Sequence, residues 1–106
     1  MLEIYDVILR VVAALRPCVK KIEGHDADLA RQMRRALSSV ALNVAEGMGS
    51  AGGNRRARYQ TALGSMRETM ACVDVGVALG YVDVLDHATL DKSRRVVGTL
   101  VRLVRA

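Results

Sequence analysis

The spacing of aliphatic residues is the feature that most constrains the fold of this chain. Apolar side chains recur at three- and four-residue steps near the N-terminus, which places them on one face of a helix: Ile4, Ile8, Val11, Leu15, Val19 and Ile22. The chain has three Tyr and no Phe or Trp, so its core must be aliphatic. One Pro, and glycines mostly at candidate loop positions, give few of the turn signals that a many-stranded sheet requires. The sequence therefore predicts an all-α fold.

Four amphipathic segments follow one another. The first runs from about Leu2 to Glu23, and Pro17 within it predicts a kink or a local break. In the other three segments the predicted core stripes are Leu29, Met33, Leu37, Val40 and Val44; Tyr59, Leu63, Met66, Met70, Val73 and Val77; and Leu90, Val97, Leu100 and Val104.

Capping residues and glycines predict where these segments begin and end. Asp26 or Asp28 caps the second segment, which continues to Glu46. The segment ends at Gly47, because a glycine can adopt the left-handed conformation that stops a helix. The third segment starts near Asn54 and stops at Gly80. Asp86 caps the fourth.

The length of 106 residues leaves room for one domain, residues 1–106. Long helices joined by short loops pack as antiparallel neighbours, so we expect an up-down-up-down four-helix bundle. In that topology residues 23–28 and 80–91 form an acidic end. Residues 48–58, Arg102 and Arg105 form a basic end.

The net charge is +5, and 13 of the 16 basic residues are Arg, whose planar guanidinium suits phosphate or carboxylate. No apolar stretch approaches the roughly 20 residues that span a bilayer, and Glu3 and Asp6 stand where a signal peptide needs positive charge. We therefore expect a cytoplasmic protein with no membrane partner. Cys18 and Cys72 fit that compartment as reduced, buried thiols, because two cysteines make neither a disulfide framework nor a zinc site.

The loop at residues 48–54 reads MGSAGGN. It is not a phosphate-binding P-loop, because it joins two helices and has no Lys. Its composition predicts a flexible connection, and its role stays open.

The second and third segments resemble a known family. The run from Asp28 to Gly47 ends in Asn-Val-Ala-Glu-Gly, Gly64-Ser65 is followed by Glu68, and residues 79–81 read Leu-Gly-Tyr. Together these elements, over residues 28–82, resemble the S23-type four-helix-bundle proteins named after the intervening sequences of 23S rRNA genes. The chain departs from the family pattern in the loop, where its arginines arrive only at residue 55.

The resemblance implies a small bundle that assembles into a ring-like homopentamer. It also implies kinship to accessory proteins of reverse transcriptases in diversity-generating retroelements, which bind nucleic acid and the polymerase. For the S23-type members themselves, the resemblance gives no established activity to carry over to this chain. Independently, some aliphatic residues lie off the main stripes and predict a second buried face between subunits: Val7, Leu9, Val12, Val96, Val101 and Leu103. The alternative is that a short bundle tolerates scattered exposed aliphatics.

Polar residues interrupt the apolar segments where helices two and three face each other. We expect them to form a structural network with Arg35, Arg67 or backbone donors: Asn43, Glu46, Gly47, Ser65 and Glu68. A paired-carboxylate metal site is the alternative, but no Glu-x-x-His motif accompanies it. No nucleophile lies within reach of a base either. The sequence therefore predicts no enzyme, no metal and no cofactor.

Basic clusters are the remaining signal, and they predict contacts to the backbone of RNA or DNA. We expect the contacting residues to be Arg31, Arg34, Arg35, Arg55, Arg56, Arg58, Lys92, Arg94, Arg95, Arg102 and Arg105. The start of the predicted third helix carries Arg55, Arg56 and Arg58, although the helix dipole disfavours cations there. This unfavourable placement indicates a functional role for these arginines. Two alternatives stay open: a solvated or inter-subunit salt-bridging face, and a protein partner such as a reverse transcriptase with an acidic surface.

Overall fold

The computed structural model describes residues 3–106. Within that range the chain forms four helices and no strand: α1 (Glu3–Glu23), α2 (Ala27–Met48), α3 (Gly52–Ala78) and α4 (His87–Arg105). The predicted all-α, four-helix composition is therefore confirmed. The predicted start of the first segment at Leu2 lies outside the described residues.

The helices surround one aliphatic core. Helix α1 packs against α2 and α4, and α3 packs against the same two helices. The largest fully buried side chains come from all four helices: Ile8, Leu15, Ile22, Met33, Met66 and Leu100. The bundle measures 42 × 26 × 19 Å. Within residues 3–106, no helix combines the length and the apolar character that crossing a bilayer requires.

The core of α4 differs from the predicted stripe. Its buried residues are Thr89, Ser93, Val96 and Leu100, whereas Leu90, Val97 and Val104 are half-buried. Polar residues can face the core here because their hydroxyls are satisfied locally: Ser93 Oγ donates to the Thr89 carbonyl at 2.8 Å. Val96, predicted to lie on a surplus apolar face, is thus a core residue, as is Val7 on α1.

Pro17 does not interrupt α1, which is helical from Glu3 to Glu23. Of the predicted kink or local break, the local break is therefore wrong. Proline removes the hydrogen bond to the carbonyl four residues earlier, which is that of Ala13. Both residues lie on the exposed side of α1, where solvent can satisfy that carbonyl.

Helix ends follow the predicted caps at three positions. Asp26 Oδ1 accepts the Leu29 N–H at 3.0 Å, and Asp86 Oδ2 accepts the Thr89 N–H at 3.0 Å, which satisfies amides that lack a helical partner. Gly80 has φ +77° and closes α3 in a Schellman motif. In that motif the Tyr81 N–H donates to the Gly76 carbonyl at 2.8 Å.

The predicted left-handed stop at Gly47 is wrong, and the start of α3 is displaced from the predicted position. Helix α2 does not stop at Gly47 but continues to Met48, and the capping Gly49 has φ −90°, outside the left-handed region. Helix α3 begins at Gly52, two residues before Asn54, and its N-cap Ala51 offers no side-chain acceptor.

Both cysteines are free thiols. Cys72 is buried as predicted, whereas Cys18 is only half-buried. Burial raises the pKa of both thiols, and the nearby Glu68 carboxylate raises that of Cys72 further.

Candidate nucleic-acid interface

Two contacts show which helix ends lie together. The rings of His25 and Tyr81 stack with centroids 5.0 Å apart, so the α1–α2 turn touches the α3–α4 connection. At the start of α3, Arg56 Nη2 donates to the Ala106 carbonyl oxygen at 3.3 Å, so this helix start lies beside the end of α4. Acidic residues of the α1–α2 turn and of the α3–α4 connection therefore lie near one another. The arginines at the start of α3 lie near those at the end of α4.

From here on, the name basic end is used for the arginines at the start of α3 and the end of α4: Arg55, Arg56, Arg58, Arg102 and Arg105. All five side chains are exposed. The ion pairs within residues 3–106 are Arg31–Asp28 and Arg34–Glu23, so no arginine of the basic end pairs with a described carboxylate side chain.

The other predicted nucleic-acid-binding residues do not join the basic end. Arg31 and Arg34 pair with carboxylates at or beside the α1–α2 turn, at 3.0 and 3.1 Å. Arg35 lines a groove between α2 and α3 together with Ser39 and Glu68. The remaining three follow the Asp86 cap in the first half of α4: Lys92, Arg94 and Arg95. The predicted set is thus spread over several surfaces.

Arg55 has a structural partner that the sequence did not reveal. Its Nε donates to the Ser50 carbonyl at 2.9 Å and to the Gly47 carbonyl at 3.3 Å. The guanidinium therefore lies at the carbonyl end of α2, where the helix dipole favours a cation. The dipole of α3 disfavours Arg55 at the start of that helix, and this contact with the end of α2 partly explains why an arginine stands there. The path of the loop between α2 and α3 brings Arg55 to the end of α2, and no residue spacing in the sequence predicts that path.

A polar network joins α2 to α3, with a different membership from the predicted one. Ser65 Oγ donates to Ser39 Oγ at 2.7 Å. Asn43 Nδ2 donates to the Ser39 hydroxyl at 3.0 Å and to its carbonyl at 2.9 Å, and Arg58 Nη1 makes a long contact of 3.5 Å to Asn43 Oδ1. Sequence reasoning missed Ser39, although it stands one helical turn before Asn43.

Glu46 and Glu68 do not take the predicted place in this network. Both are exposed, and neither side-chain carboxylate pairs with Arg35, Arg67 or any other residue in the range 3–106. Their position on the helix faces solvent, where a hydrated carboxylate needs no partner. Gly47 contributes by packing rather than by polar contact, because the Tyr59 ring lies directly against it.

A cleft of about 690 Å³ opens at the basic end. Apolar side chains form much of its wall, with two arginines and two glycines of the first turn of α3 beside them: Met48, Tyr59, Leu103, Arg55, Arg56, Gly52 and Gly53, together with Ala106. The start of α3 thus forms one wall of this cleft.

The described residues offer hydrogen-bond donors and positive charge rather than a metal-binding cluster. In the range 3–106, no group of three or more His, Cys, Asp or Glu side chains is placed to hold a metal ion. The carboxylate with a shifted pKa is Asp86, whose pKa is lowered by the hydrogen bonds from the Thr89 hydroxyl and amide. That shift belongs to a helix cap and indicates no reactive site.

One of the comparisons with known proteins gives a match. Residues 2–102 match the family model described as 23S rRNA-intervening sequence protein. Neither the curated proteins nor the solved structures give a match. Because the family match covers nearly the whole sequence, the chain belongs to the 23S rRNA-intervening sequence protein family.

Proposed function

We propose that this chain is a non-enzymatic, cytoplasmic accessory protein that binds the phosphate backbone of RNA or DNA as a homo-oligomer. One observation carries the proposal: the five exposed arginines of the basic end have no carboxylate side-chain partner within residues 3–106. Guanidiniums whose charge no carboxylate side chain neutralises are suited to phosphates, because each contact releases condensed counterions.

The chemistry of the basic end also bears on specificity. The chain has three Tyr and no Phe or Trp, and Tyr59, which lines the cleft beside these arginines, is buried. Stacking of successive bases on exposed aromatic rings is therefore not available there. We expect contacts to phosphate and sugar, with weak sequence preference.

The proposed assembly is an antiparallel bundle repeated in a ring, most simply a homopentamer. The His25–Tyr81 stack and the Arg56–Ala106 contact support the antiparallel order. Exposed aliphatic side chains on different elements support a head-to-tail ring, which needs two different complementary surfaces on each subunit. Leu9 and Leu42 lie on α1 and α2, whereas Val75 lies on α3, and Leu79 and Val84 lie between α3 and α4.

These exposed aliphatic side chains also favour a second candidate function, a scaffold that binds a protein such as a reverse transcriptase without touching nucleic acid. Leu42 is 65% exposed and Leu79 57%, and large exposed aliphatics often mark protein contacts. Salt distinguishes the candidates: phosphate binding weakens steeply as salt rises, whereas binding through a large apolar interface does not.

The test is a titration with hydroxyl-ended hairpin RNA and duplex DNA, at low and at near-physiological salt. The variant carries Arg56→Gln, Arg102→Gln and Arg105→Gln, which spares the bonds that Arg55 makes to the end of α2. The matched control removes the same charge near the acidic turns through Arg31→Gln, Arg34→Gln and Lys92→Gln. Binding that is lost in the first variant and kept in the control supports the proposal. Equal loss in both, or no binding at low salt, contradicts it.

A further inference from the structure

The cleft at the basic end combines features of a ligand site that a general phosphate-binding surface does not need. Its apolar wall is formed by Met48, Tyr59 and Leu103, and Arg55 and Arg56 lie beside that wall. Its volume of about 690 Å³ falls within the range of small-molecule pockets, which pair an apolar lining with a few polar groups.

Arg55 is held in place before any ligand binds. Its Nε is bonded to the Ser50 and Gly47 carbonyls, while its two terminal nitrogens make no hydrogen bond to the described residues. A guanidinium fixed through Nε can still present Nη1 and Nη2 as a fork for two phosphate oxygens. Because the side chain is already ordered, it loses little conformational entropy on binding.

A second polar residue lines the same cleft. Tyr59 is only 3% exposed. Because no side-chain oxygen of residues 3–106 is both fully buried and unpartnered, the Tyr59 hydroxyl, which bonds to none of them, keeps contact with solvent. Arg56 adds a further donor, because its exposed 3.3 Å bond to the Ala106 carbonyl is readily exchanged for an anion.

We propose that this cleft binds the phosphate-bearing terminal nucleotide of a nucleic acid, with the phosphate on Arg55 and Arg56 and the nucleoside over the apolar wall. A terminal phosphate monoester carries more charge and more free oxygens than an internal diester, which suits two converging guanidiniums. The inference rests on the proposed nucleic-acid function and names the part of the nucleic acid that the cleft takes. It differs from general backbone binding because it predicts discrimination between two kinds of strand end.

The experiment compares oligonucleotides of one sequence that end in a 5′-phosphate, a 3′-phosphate or hydroxyls only, with adenosine monophosphate as a separate probe. Gly53→Glu places a carboxylate at the cleft, where an added Cβ meets no atom within 4 Å and where the first turn of α3 favours an acid. Gly64→Glu is the matched control, because Gly64 lies further along α3, outside the cleft lining, and its added Cβ also meets no atom within 4 Å. Thermal unfolding establishes that both variants fold.

Wild type and Gly64→Glu should bind one phosphorylated end about tenfold more tightly than hydroxyl ends, the factor expected from one or two charge-assisted hydrogen bonds. Gly53→Glu should lose that preference while still binding the hydroxyl-ended strand. Equal affinity for all ends in wild type overturns the inference and leaves the proposed function standing, whereas absence of any binding overturns both. Adenosine monophosphate binding without an end preference also overturns it, because the ligand would then be a free nucleotide.

Discussion

Gly47 and Tyr59 pack so closely that a methyl group on Gly47 would lie 2.5 Å from Tyr59 Cε1. The glycine of the Glu-Gly element therefore lets the α3 tyrosine reach the surface of α2. This close approach, rather than a left-handed turn, explains why glycine is needed at a helical position.

Gly47→Ala should lower the free energy of unfolding by about 1–3 kcal/mol, because the buried Tyr59 ring must move. Alanine is the better helix former, so the helix propensity alone predicts the opposite sign. The control is Gly64→Ala, where the added methyl meets no atom within 4 Å and stability should rise by about 0.5–1 kcal/mol. Urea unfolding followed by circular dichroism measures both. A Gly47→Ala protein as stable as wild type would contradict the packing argument.

Arg55→Gln should destabilise the end of α2 by roughly 1 kcal/mol, the usual net value of a hydrogen bond, because the Ser50 and Gly47 carbonyls lose their shared donor. Arg56→Gln removes the same charge but only one exposed contact, so it should change stability by less than about 0.5 kcal/mol. Amide hydrogen exchange at the last turn of α2 reports the difference. Equal exchange in the two variants would show that charge, not capping, is what matters there.

Asp86 makes the folding stability of the chain depend on pH, and the direction of its pKa shift sets the direction of that dependence. Its pKa in the folded chain is lowered by the Thr89 hydrogen bonds, so its contribution to stability is complete above the ordinary carboxyl value of 3.8 and is lost as the pH falls through the lower folded value. Asp86→Asn keeps an acceptor for capping but does not titrate. Its unfolding temperature should therefore fall less steeply with acid than that of wild type. Parallel acid profiles for the two proteins would contradict this assignment.

The two thiols should differ in reactivity towards iodoacetamide at neutral pH. Burial raises the pKa of both, which lowers the thiolate fraction, and Cys72 is the more deeply buried. Cys18 should therefore react more slowly than a free thiol, and Cys72 more slowly still, at a rate set by unfolding. The variants Cys18→Ser and Cys72→Ser isolate each thiol for mass spectrometry. Faster modification of Cys72 than of Cys18 would contradict the packing of α3.

The exposed leucines test the proposed assembly. Leu42→Glu on α2 and Leu79→Glu at the end of α3 each place a charge at an exposed aliphatic position, so each alone should reduce the mass measured by light scattering at micromolar concentration. A head-to-tail ring needs two different surfaces on each subunit, and disrupting either one breaks it. Leu42→Gln, which carries no charge, should have a smaller effect. A wild-type monomer under these conditions would contradict the proposed ring.

The sequence predicted the positions of the helices along the chain better than it predicted which face of each helix is buried. Periodicity and capping residues were sufficient for four helices and for the Asp26, Asp86 and Gly80 boundaries, because these signals are local. The inward rotation of Thr89 and Ser93 was not predictable from hydrophobicity, since it depends on the partners of their hydroxyl groups. The Thr89 hydroxyl donates to the Asp86 carboxylate and the Ser93 hydroxyl to the Thr89 carbonyl. Gly47 was misassigned because glycine serves both helix ends and close packing.

The candidate site was only partly predictable for a similar reason. Counting arginines identified a basic chain but could not separate Arg31 and Arg34, which pair with carboxylates, from Arg56, which does not. That separation depends on which helix ends meet.

The most direct test of the central claim is the salt dependence of nucleic-acid affinity, measured as the slope of log K against log salt concentration. Each phosphate contact on duplex DNA contributes about −0.9 to that slope. Removing Arg56, Arg102 and Arg105 should therefore make it shallower by about 2–3 per bound subunit, and the Arg31, Arg34 and Lys92 control should leave it nearly unchanged. Equal slopes for wild type and the basic-end variant would contradict the account.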